Sequence, residues 1–302
     1  MARIPKPNRA SLAGVARTRL QFGLARDTEA FDGAFRLVHD QYVWRKYMVP
    51  HPSGRRLSLH HSLPSTKVFV AKAGPEVVGT MTLVQDSPIG LPMDEIYRDE
   101  LSRLRDQHRH VCEVSSLAID PSYRPAGVGI LMRLLRMVLI YVAEVRRLDD
   151  LCIAVNPRHA DFYGRAFPSC GRLGDVRVYP KVRGAPAVAL HWDVDFMREQ
   201  IRAVHAGDPK PGELCNFFFW PGKFQRILAR LHRDLPRSTF TPQQFAHFFW
   251  SHEVLAKASL NEQAFVQSLY PERRHELLHR AMVLSDARHV RSFRPLRNLA
   301  TS

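Results

Sequence analysis

Apolar and polar positions along this chain follow periods that change at definable points. From Ala30 to Tyr47, Phe31, Phe35, Val38 and Tyr42, with Arg45 beside them, fall near one face of a 3.6-residue repeat, which predicts an amphipathic helix. The polar, turn-rich stretch HPSGRRLSLHHSLPST follows. Then KVFVAKAG and EVVGTMTLVQD read as two strands rich in Val and Thr, joined at Gly74 and Pro75 as an antiparallel pair. Residues 87–110 interrupt the strands with a polar segment whose main apolar positions are Ile96, Leu101 and Leu104, which predicts an inserted helix. VCEVSSLAI is the next strand, Val128 to Arg147 a long helix, LCIAV a short buried strand, PRHADFYGRAF a short helix, and RLGDVRVYP and AVALHWDVD the closing strands. This order is an α/β (α+β) arrangement.

Past residue 200 the pattern turns helical. FQRILARLHRDL spaces Phe224, Ile227, Leu228, Leu231 and Leu235 along one face with arginines between them. Thr241 with Gln244, and Ser259 with Glu262, each carry the signature of a capped helix start. The first 26 residues show no clear apolar period. The expected organisation is therefore a basic N-terminal arm over 1–26, a central domain over 27–200 and a basic helical C-terminal domain over 201–302.

Composition narrows the classes. A chain of 302 residues, 45% hydrophobic and 24% charged, fits a soluble globular protein with one medium domain and an appendage. MARIPKPNRASLAGVARTRL contains no apolar signal core, and the longest apolar stretch, 127–145, carries Arg133, Arg136 and Glu144, so a cytoplasmic protein is expected. The four cysteines lack CxxC spacing and the 15 histidines lack HExxH spacing, so free thiols and no metal are expected. No GxSxG is present to supply a hydrolase nucleophile elbow. The net charge of +15 divides as +6 over 1–26, +2 over 27–200 and +7 over 201–302. Basic flanks suit nucleic acid, an anionic membrane surface or an acidic protein or cofactor, and equally serve solubility alone. LCNFFFWPGKF, with Phe217, Phe218, Phe219 and Trp220 beside basic residues, reads either as a peripheral membrane contact or as helix-packing core.

The candidate chemistry lies in AIDPSYRPAGVG, where Arg124, Gly127 and Gly129 form R-x-x-G-x-G between a strand and a long helix. Glycines there let backbone N–H groups at a helix N-terminus approach an anion. The pattern is neither a Walker loop nor a dinucleotide fingerprint. It resembles the pyrophosphate loop of the GNAT acyltransferases, and IAVNPRHADFYGRAF is similar to that family's later N-x-x-x-A-x-x-F-Y segment. The resemblance covers roughly residues 27–195 and implies a GNAT-like mixed, largely antiparallel sheet flanked by helices, with a C-terminal helical extension. Two features resemble the branch that takes long acyl chains from acyl carrier protein: the insertion at 87–110, and CEVSSLAI, which is similar to the E-x-S-x-x-A/V-I strand of acyl-homoserine-lactone synthases. Those synthases usually carry an arginine three residues past the Glu, where this chain has Ser116, so the nearer resemblance is to the N-acyl amino acid synthases.

That resemblance implies transfer of a long acyl group from acyl carrier protein to an amino acid, with no permanently bound cofactor and acyl-phosphopantetheine, or acyl-CoA, as donor. Glu113 is the expected base and Tyr163 the expected acid toward the departing thiolate. Leu117, Ile119, Arg124, Ala126, Gly127, Val128, Gly129, Ile130 and Asn156 are expected along the donor, and Trp44, Tyr47, Ser115 and Ser116 along the acceptor. An acidic carrier protein would use the basic flanks. A CoA-dependent N-acetyltransferase is the alternative enzyme. A basic nucleic-acid-binding protein is the alternative outside enzymes, although no recognition motif supports nucleic acid as a partner.

Overall fold

The computed structural model describes residues 19–167, 169–208, 212–250 and 253–270. The chain divides into two compact units, Met1–Phe240 and Thr241–Ser302.

The larger unit is built on an eight-stranded sheet with strands β1 (Leu20–Leu24), β2 (Lys67–Ala73), β3 (Glu76–Gln85), β4 (Val111–Ile119), β5 (Asp150–Val155), β6 (Cys170–Arg172), β7 (Arg177–Tyr179) and β8 (Ala185–Asp193). Their spatial order is β1-β2-β3-β4-β5-β8-β6, with β7 also paired to β8. Every pairing is antiparallel except β4 with β5. The sheet begins at Leu20, inside the segment read as an arm, because the alternation of Leu20, Phe22 and Leu24 adds an edge strand to β2. The single strand expected over RLGDVRVYP is two short ones, β6 and β7. Residues 1–18 lie outside the described residues.

Helix α1 (Thr28–Trp44) starts where the Asp27 carboxylate accepts the Ala30 N–H at 2.8 Å, and it buries Phe31, Phe35 and Val38 as their spacing predicts. The β2–β3 turn uses Gly74 at φ +61. Helix α2 (Asp94–Asp106) is the predicted insertion, and α3 (Gly127–Ile140) the long helix, which ends in a wider turn over Tyr141–Arg146. The sheet alternation sorts these helices: Cys112 and Val114 of β4 pack in the core with α3, while Val111 packs with the insertion. Gly79 lets α3 approach β3, since a Cβ there would stand 2.7 Å from the Ile130 methyl. Helix α4 (Ala160–Ala166) follows β5, and α5 (Val194–His205), α6 (Gly212–Phe219) and α7 (Pro221–Asp234) follow β8. These last three belong to the larger unit, past the expected boundary at 200. Arg136 of α3 donates to the Phe218 carbonyl at 2.5 Å, and Arg230 of α7 to the Phe22 carbonyl at 2.7 Å. Phe218 and Phe219 are buried whereas Phe217 and Trp220 are exposed, so the aromatic run is partly core.

The insertion is fastened at several points. Arg105 bridges Asp86 at 2.6 Å and Asp94 at 2.7 Å, and the Tyr97 hydroxyl donates to the carbonyls of Ala187 and Asp175. Its buried face is Leu91, Met93, Tyr97 and Leu101, with the expected Ile96 and Leu104 packed against it partly buried.

In the smaller unit, α8 (Pro242–Phe245), α9 (Val254–Lys257) and α10 (Leu260–Ser268) follow in order, and α8 and α10 begin with the capping boxes of Thr241 and Ser259 predicted from sequence. Among the described residues no helix is long and apolar enough to cross a membrane, and no group of three or more His, Cys, Asp or Glu is placed to hold a metal ion.

At the start of β5 the fully buried Asp150 receives the Arg109 guanidinium at 2.5 and 2.9 Å and the His191 ring. Burial pushes this carboxyl up, and the hydrogen bonds from His191 and Arg109 outweigh it and hold the group below 3.8. Its ion pairs therefore stabilise the fold above the ordinary carboxylate range and are lost as pH falls below it. Asp150→Ala removes the buried carboxylate that both groups share, leaving Arg109 only the more distant Asp193 at 3.6 Å, and is expected to cost about 3–5 kcal/mol in urea denaturation at neutral pH.

Candidate active site

Glu113 stands in the middle of β4, paired across the ladders to Val84 and Cys152, with 2% of its surface exposed. The strand alternation turns its side chain away from the α3 face and toward the insertion. There the Met93 backbone N–H, just ahead of α2, donates to its carboxylate at 2.8 Å. Burial raises the Glu113 carboxyl from 4.5 to about 8, against the Met93 hydrogen bond and the Lys181 and Arg56 charges, which lower it. At neutral pH the group is mostly a neutral acid, poised near the pH at which a general base exchanges protons efficiently.

Three residues on, β4 is irregular. Thr82 pairs with Ser115 and Thr80 with Ala118, so Ser116 and Leu117 together oppose one residue of β3. Ser116 takes φ +52 in this bulge, a left-handed conformation that a serine adopts only where its surroundings impose it. The parallel ladder to β5 also stops here, its last pair being Val114 with Ile153. Among the described residues, 115–119 therefore have a hydrogen-bonded strand neighbour on the β3 side only, and the backbone edge facing β5 is released from the ladder.

Beyond the strand, a tight turn over Pro121–Ala126 leads into α3. The first turn of α3 has no capping side chain and no acidic residue, so its N–H groups keep their donor capacity. A Cβ at Gly127 or Gly129 would meet nothing within 4 Å, and Val128 is 65% exposed, so this N-terminus is open to an approaching anion. Ile130 is buried under the sheet, and Leu117 and Ile119 are half-buried against the same core. The Arg124 side chain lies outside what the structure describes. Asn156 caps the turn after β5, its side chain accepting the Arg158 N–H at 3.3 Å, and among the described residues no hydrogen bond joins it to the glycine loop.

Next to the loop opens a cleft of about 1240 Å³, reaching Tyr123, Pro125 and Ala126 at one end. Eight basic side chains from the flanks of β1 and from β2, α3 and α7 line it, among them Lys72, Arg133, Lys223, Arg226 and Arg230, against one acid, Asp234. Asp234 is itself taken up by Arg26 at 3.1 Å and Arg233 at 3.2 Å, so the cleft is strongly positive.

Tyr163 on α4 is buried edge-on against Trp192, with ring centroids 5.8 Å apart. Burial pushes its hydroxyl up to about 12, with the nearby Cys170 adding to the rise. It belongs to the α3-side core, opposite the face that carries Glu113, and no hydrogen bond joins the two among the described residues. Trp44 is 56% exposed at the end of α1, while Tyr47 meets Tyr42 edge-on at 5.7 Å. Ser116 accepts a hydrogen bond from Arg56 at 3.1 Å, and the Arg56 guanidinium lies 4.5 Å from the Tyr42 ring centroid. Ser115 is half-buried on the Glu113 face. The site thus gains four participants that sequence reasoning missed: the Met93 N–H, Arg56, Tyr42 and Lys181. The first comes from backbone in an insertion and the second from a polar loop, neither of which carries a motif.

The chain matches the family model described as N-acyl amino acid synthase FeeM over residues 33–193. Among solved structures it is similar to FeeM, an N-acyl amino acid synthase from uncultured soil microbes, at 29% identity and a TM-score of 0.52, over 60% of this chain and 95% of that one. It also resembles the acyl-homoserine-lactone synthase LasI, at 17% identity and a TM-score of 0.45, over 59% of this chain and 90% of that one. The CoA-dependent acyl-homoserine lactone synthase BjaI is matched at 17% identity and a TM-score of 0.45, over 64% and 90%. No curated protein matches.

A base with its midpoint near 8 sets a pH profile. If Glu113 accepts the amine proton, kcat/KM is expected to rise with pH through about 8 and level above it, and Glu113→Gln to lower it by about 10²–10⁴-fold. The same raised value bears on stability. Its contribution is fully present below 4.5 and is lost as pH rises through about 8, so urea melts across that window should show a loss in the parent that Glu113→Gln lacks.

Proposed function

The chain belongs to the N-acyl amino acid synthase FeeM family, and from that premise we propose that it moves a long-chain acyl group from acyl carrier protein to the amino group of an amino acid. It is an N-acyltransferase with a GNAT-like fold; the carrier-protein donor and the amino acid acceptor are the proposal. The observation that carries it is the layout of one strand. β4 bears the buried Glu113, then the bulge at Ser116 where its pairing to β5 has ended, and then runs into the open N-terminus of α3.

In this reading the anionic end of the phosphopantetheine sits on the N–H groups of residues 126–130, and the arm follows the released edge of β4 past Leu117 and Ile119. The thioester then lies beside the bulge, where backbone N–H groups of residues 116–118 face the developing oxyanion. Glu113 takes a proton from the acceptor ammonium, and the freed amine attacks the thioester carbon. The tetrahedral adduct collapses by breaking the C–S bond, and the second amine proton passes to the thiolate. Tyr163, with a hydroxyl near 12, serves as a neutral hydrogen-bond donor to that thiolate and keeps its own proton. Trp44, Tyr47 and Ser115 are assigned to the acceptor side, and Asn156 and Arg124 to the donor side.

The positive cleft supports a carrier protein as donor. It begins where the phosphate loop ends, and acyl carrier proteins present an acidic surface around the pantetheine attachment point. A cytoplasmic setting follows from that donor. Two experiments test the proposal. Purified protein given decanoyl acyl carrier protein and a mixture of the twenty L-amino acids is expected to yield an N-decanoyl amino acid by mass spectrometry, in amounts strongly reduced by Glu113→Ala. Acetyl transfer from acetyl-CoA with no product from the acyl carrier would overturn it. Lys223→Glu with Arg226→Glu is expected to raise KM for the acyl carrier protein about tenfold at low salt while leaving KM for the amino acid unchanged. Unchanged carrier kinetics would remove the cleft from the docking surface.

A further inference from the structure

Among the described residues two cations, Lys181 and Arg56, lower the Glu113 carboxyl, and they differ in one respect. Lys181 is neutralised by Glu95 at 3.2 Å and also donates to the Pro92 carbonyl at 2.8 Å. Arg56 has no carboxylate partner among the described residues, although it is half-buried and sits deep enough for its charge to be felt at both Glu113 and His61. Three other arginines of this unit are matched by acids, Arg105 by Asp86 and Asp94, Arg109 by Asp150 and Arg177 by Glu100, while the buried Arg136 is spent on the Phe218 carbonyl and the Phe217 ring, away from Glu113. A partly desolvated guanidinium without a counter-ion is costly, and a fold keeps one where something else holds it in place.

Here three contacts hold it. The Arg56 N–H donates to the Phe35 carbonyl at 3.1 Å, which ties its loop to α1. The guanidinium lies against the face of Tyr42, and Tyr42 is braced edge-on by Tyr47. One nitrogen, Nη1, donates to Ser116 at the bulge. A guanidinium has five N–H donors in a planar fork, so most of this one's capacity is unspent. The neighbouring His61 adds no competing positive charge: burial and the Arg56 charge depress its ring to about 3, leaving it neutral.

We propose that Arg56 is the specificity-determining residue that binds the α-carboxylate of the acceptor, so that this chain acylates amino acids in preference to simple amines. The proposal rests on the amino acid acceptor argued above and names the residue that recognises it. The spacing suits the chemistry. Only one carbon separates the amine from the carboxylate of an α-amino acid, and Ser116 lies within three residues of Glu113, about 10 Å along an extended strand and less through a bulge. A carboxylate forked on Arg56 thus leaves the ammonium pointing along the strand toward Glu113, at the thioester side of the bulge. Planar, bidentate recognition of this kind is what arginine performs and lysine does not.

The test compares two acceptor mixtures, the twenty L-amino acids and their carboxamides, with the full-length protein and decanoyl acyl carrier protein. The parent protein is expected to favour acids over amides. Arg56→Gln is expected to raise KM for the acid that is turned over by about 10- to 150-fold, the range for a charge-assisted hydrogen-bonding contact, and to abolish the preference for acid over amide, with KM for the donor little changed. Arg56→Lys should recover only part of the preference. A purely structural role would lower turnover of acid and amide together, so an unchanged acid-to-amide ratio in Arg56→Gln overturns the assignment even if that variant is less stable. Parent protein that acylates no amino acid at all overturns the acceptor reading and this one with it. Parent turnover with unaltered KM in Arg56→Gln overturns this one alone.

Discussion

The hydrogen bond from the Met93 N–H to the Glu113 carboxyl is the contact on which the rest of the site depends. It joins the centre of the sheet to the segment inserted between β3 and β4, and that segment encloses the carboxyl. Without a cover, a glutamate in the middle of a strand would face water and remain an ordinary ionised group. Under it, burial outweighs the single backbone donor and the two nearby cations, and the group holds its proton at neutral pH. The many fastenings of the insertion acquire a purpose in this light. Arg105 on Asp86 and Asp94, and Tyr97 on the carbonyls of Asp175 and Ala187, hold α2 against the sheet closely enough to keep solvent from Glu113.

The second constraint is the interruption of β4 itself. Eight strands could pair continuously, yet the parallel ladder ends at Val114 and the strand bulges two residues later. A strand edge left unpaired in a sheet interior is unfavourable unless another chain of donors and acceptors can occupy it. An extended pantetheine arm with its two amides is of that kind, and the open helix N-terminus at its far end suits its phosphate. The positive cleft then extends the same track from the phosphate outward to whatever carries it. In the proposed reading, base, oxyanion donors and phosphate site lie in sequence along one strand and the helix that follows it, and the positive cleft adjoins the phosphate end.

Much of this was legible in the sequence because it is encoded locally. The limits of β4, the glycine loop before a long helix and the capping boxes at Thr241 and Ser259 all depend on residues within a few positions of one another. Glu113 was identifiable because a charged residue in an apolar strand is conspicuous. What escaped was encoded at long range. The Met93 contribution is a backbone donor set 20 residues away, and any residue type could have supplied it. Arg56 sits in a polar loop whose composition resembles any other, and only the packing of that loop against α1 and the bulge brings its guanidinium to Ser116. β1 was legible in principle, since Leu20, Phe22 and Leu24 alternate, but a five-residue strand flanked by arginines is outweighed by its basic surroundings. The placement of α7 with the sheet unit likewise rests on Arg230 and Asp234 meeting residues more than 200 positions earlier.

For Glu113 to serve as the proposed base, it must be a neutral acid in the folded protein near neutral pH and ionise as pH rises. Infrared difference spectroscopy of the parent against Glu113→Gln reads this directly through the carboxyl C=O stretch. A protonated-carboxyl band is expected at about pH 6 that gives way to carboxylate bands as pH passes through about 8. A Glu113 that is already ionised at about pH 6, with no band to lose on raising the pH, would contradict it.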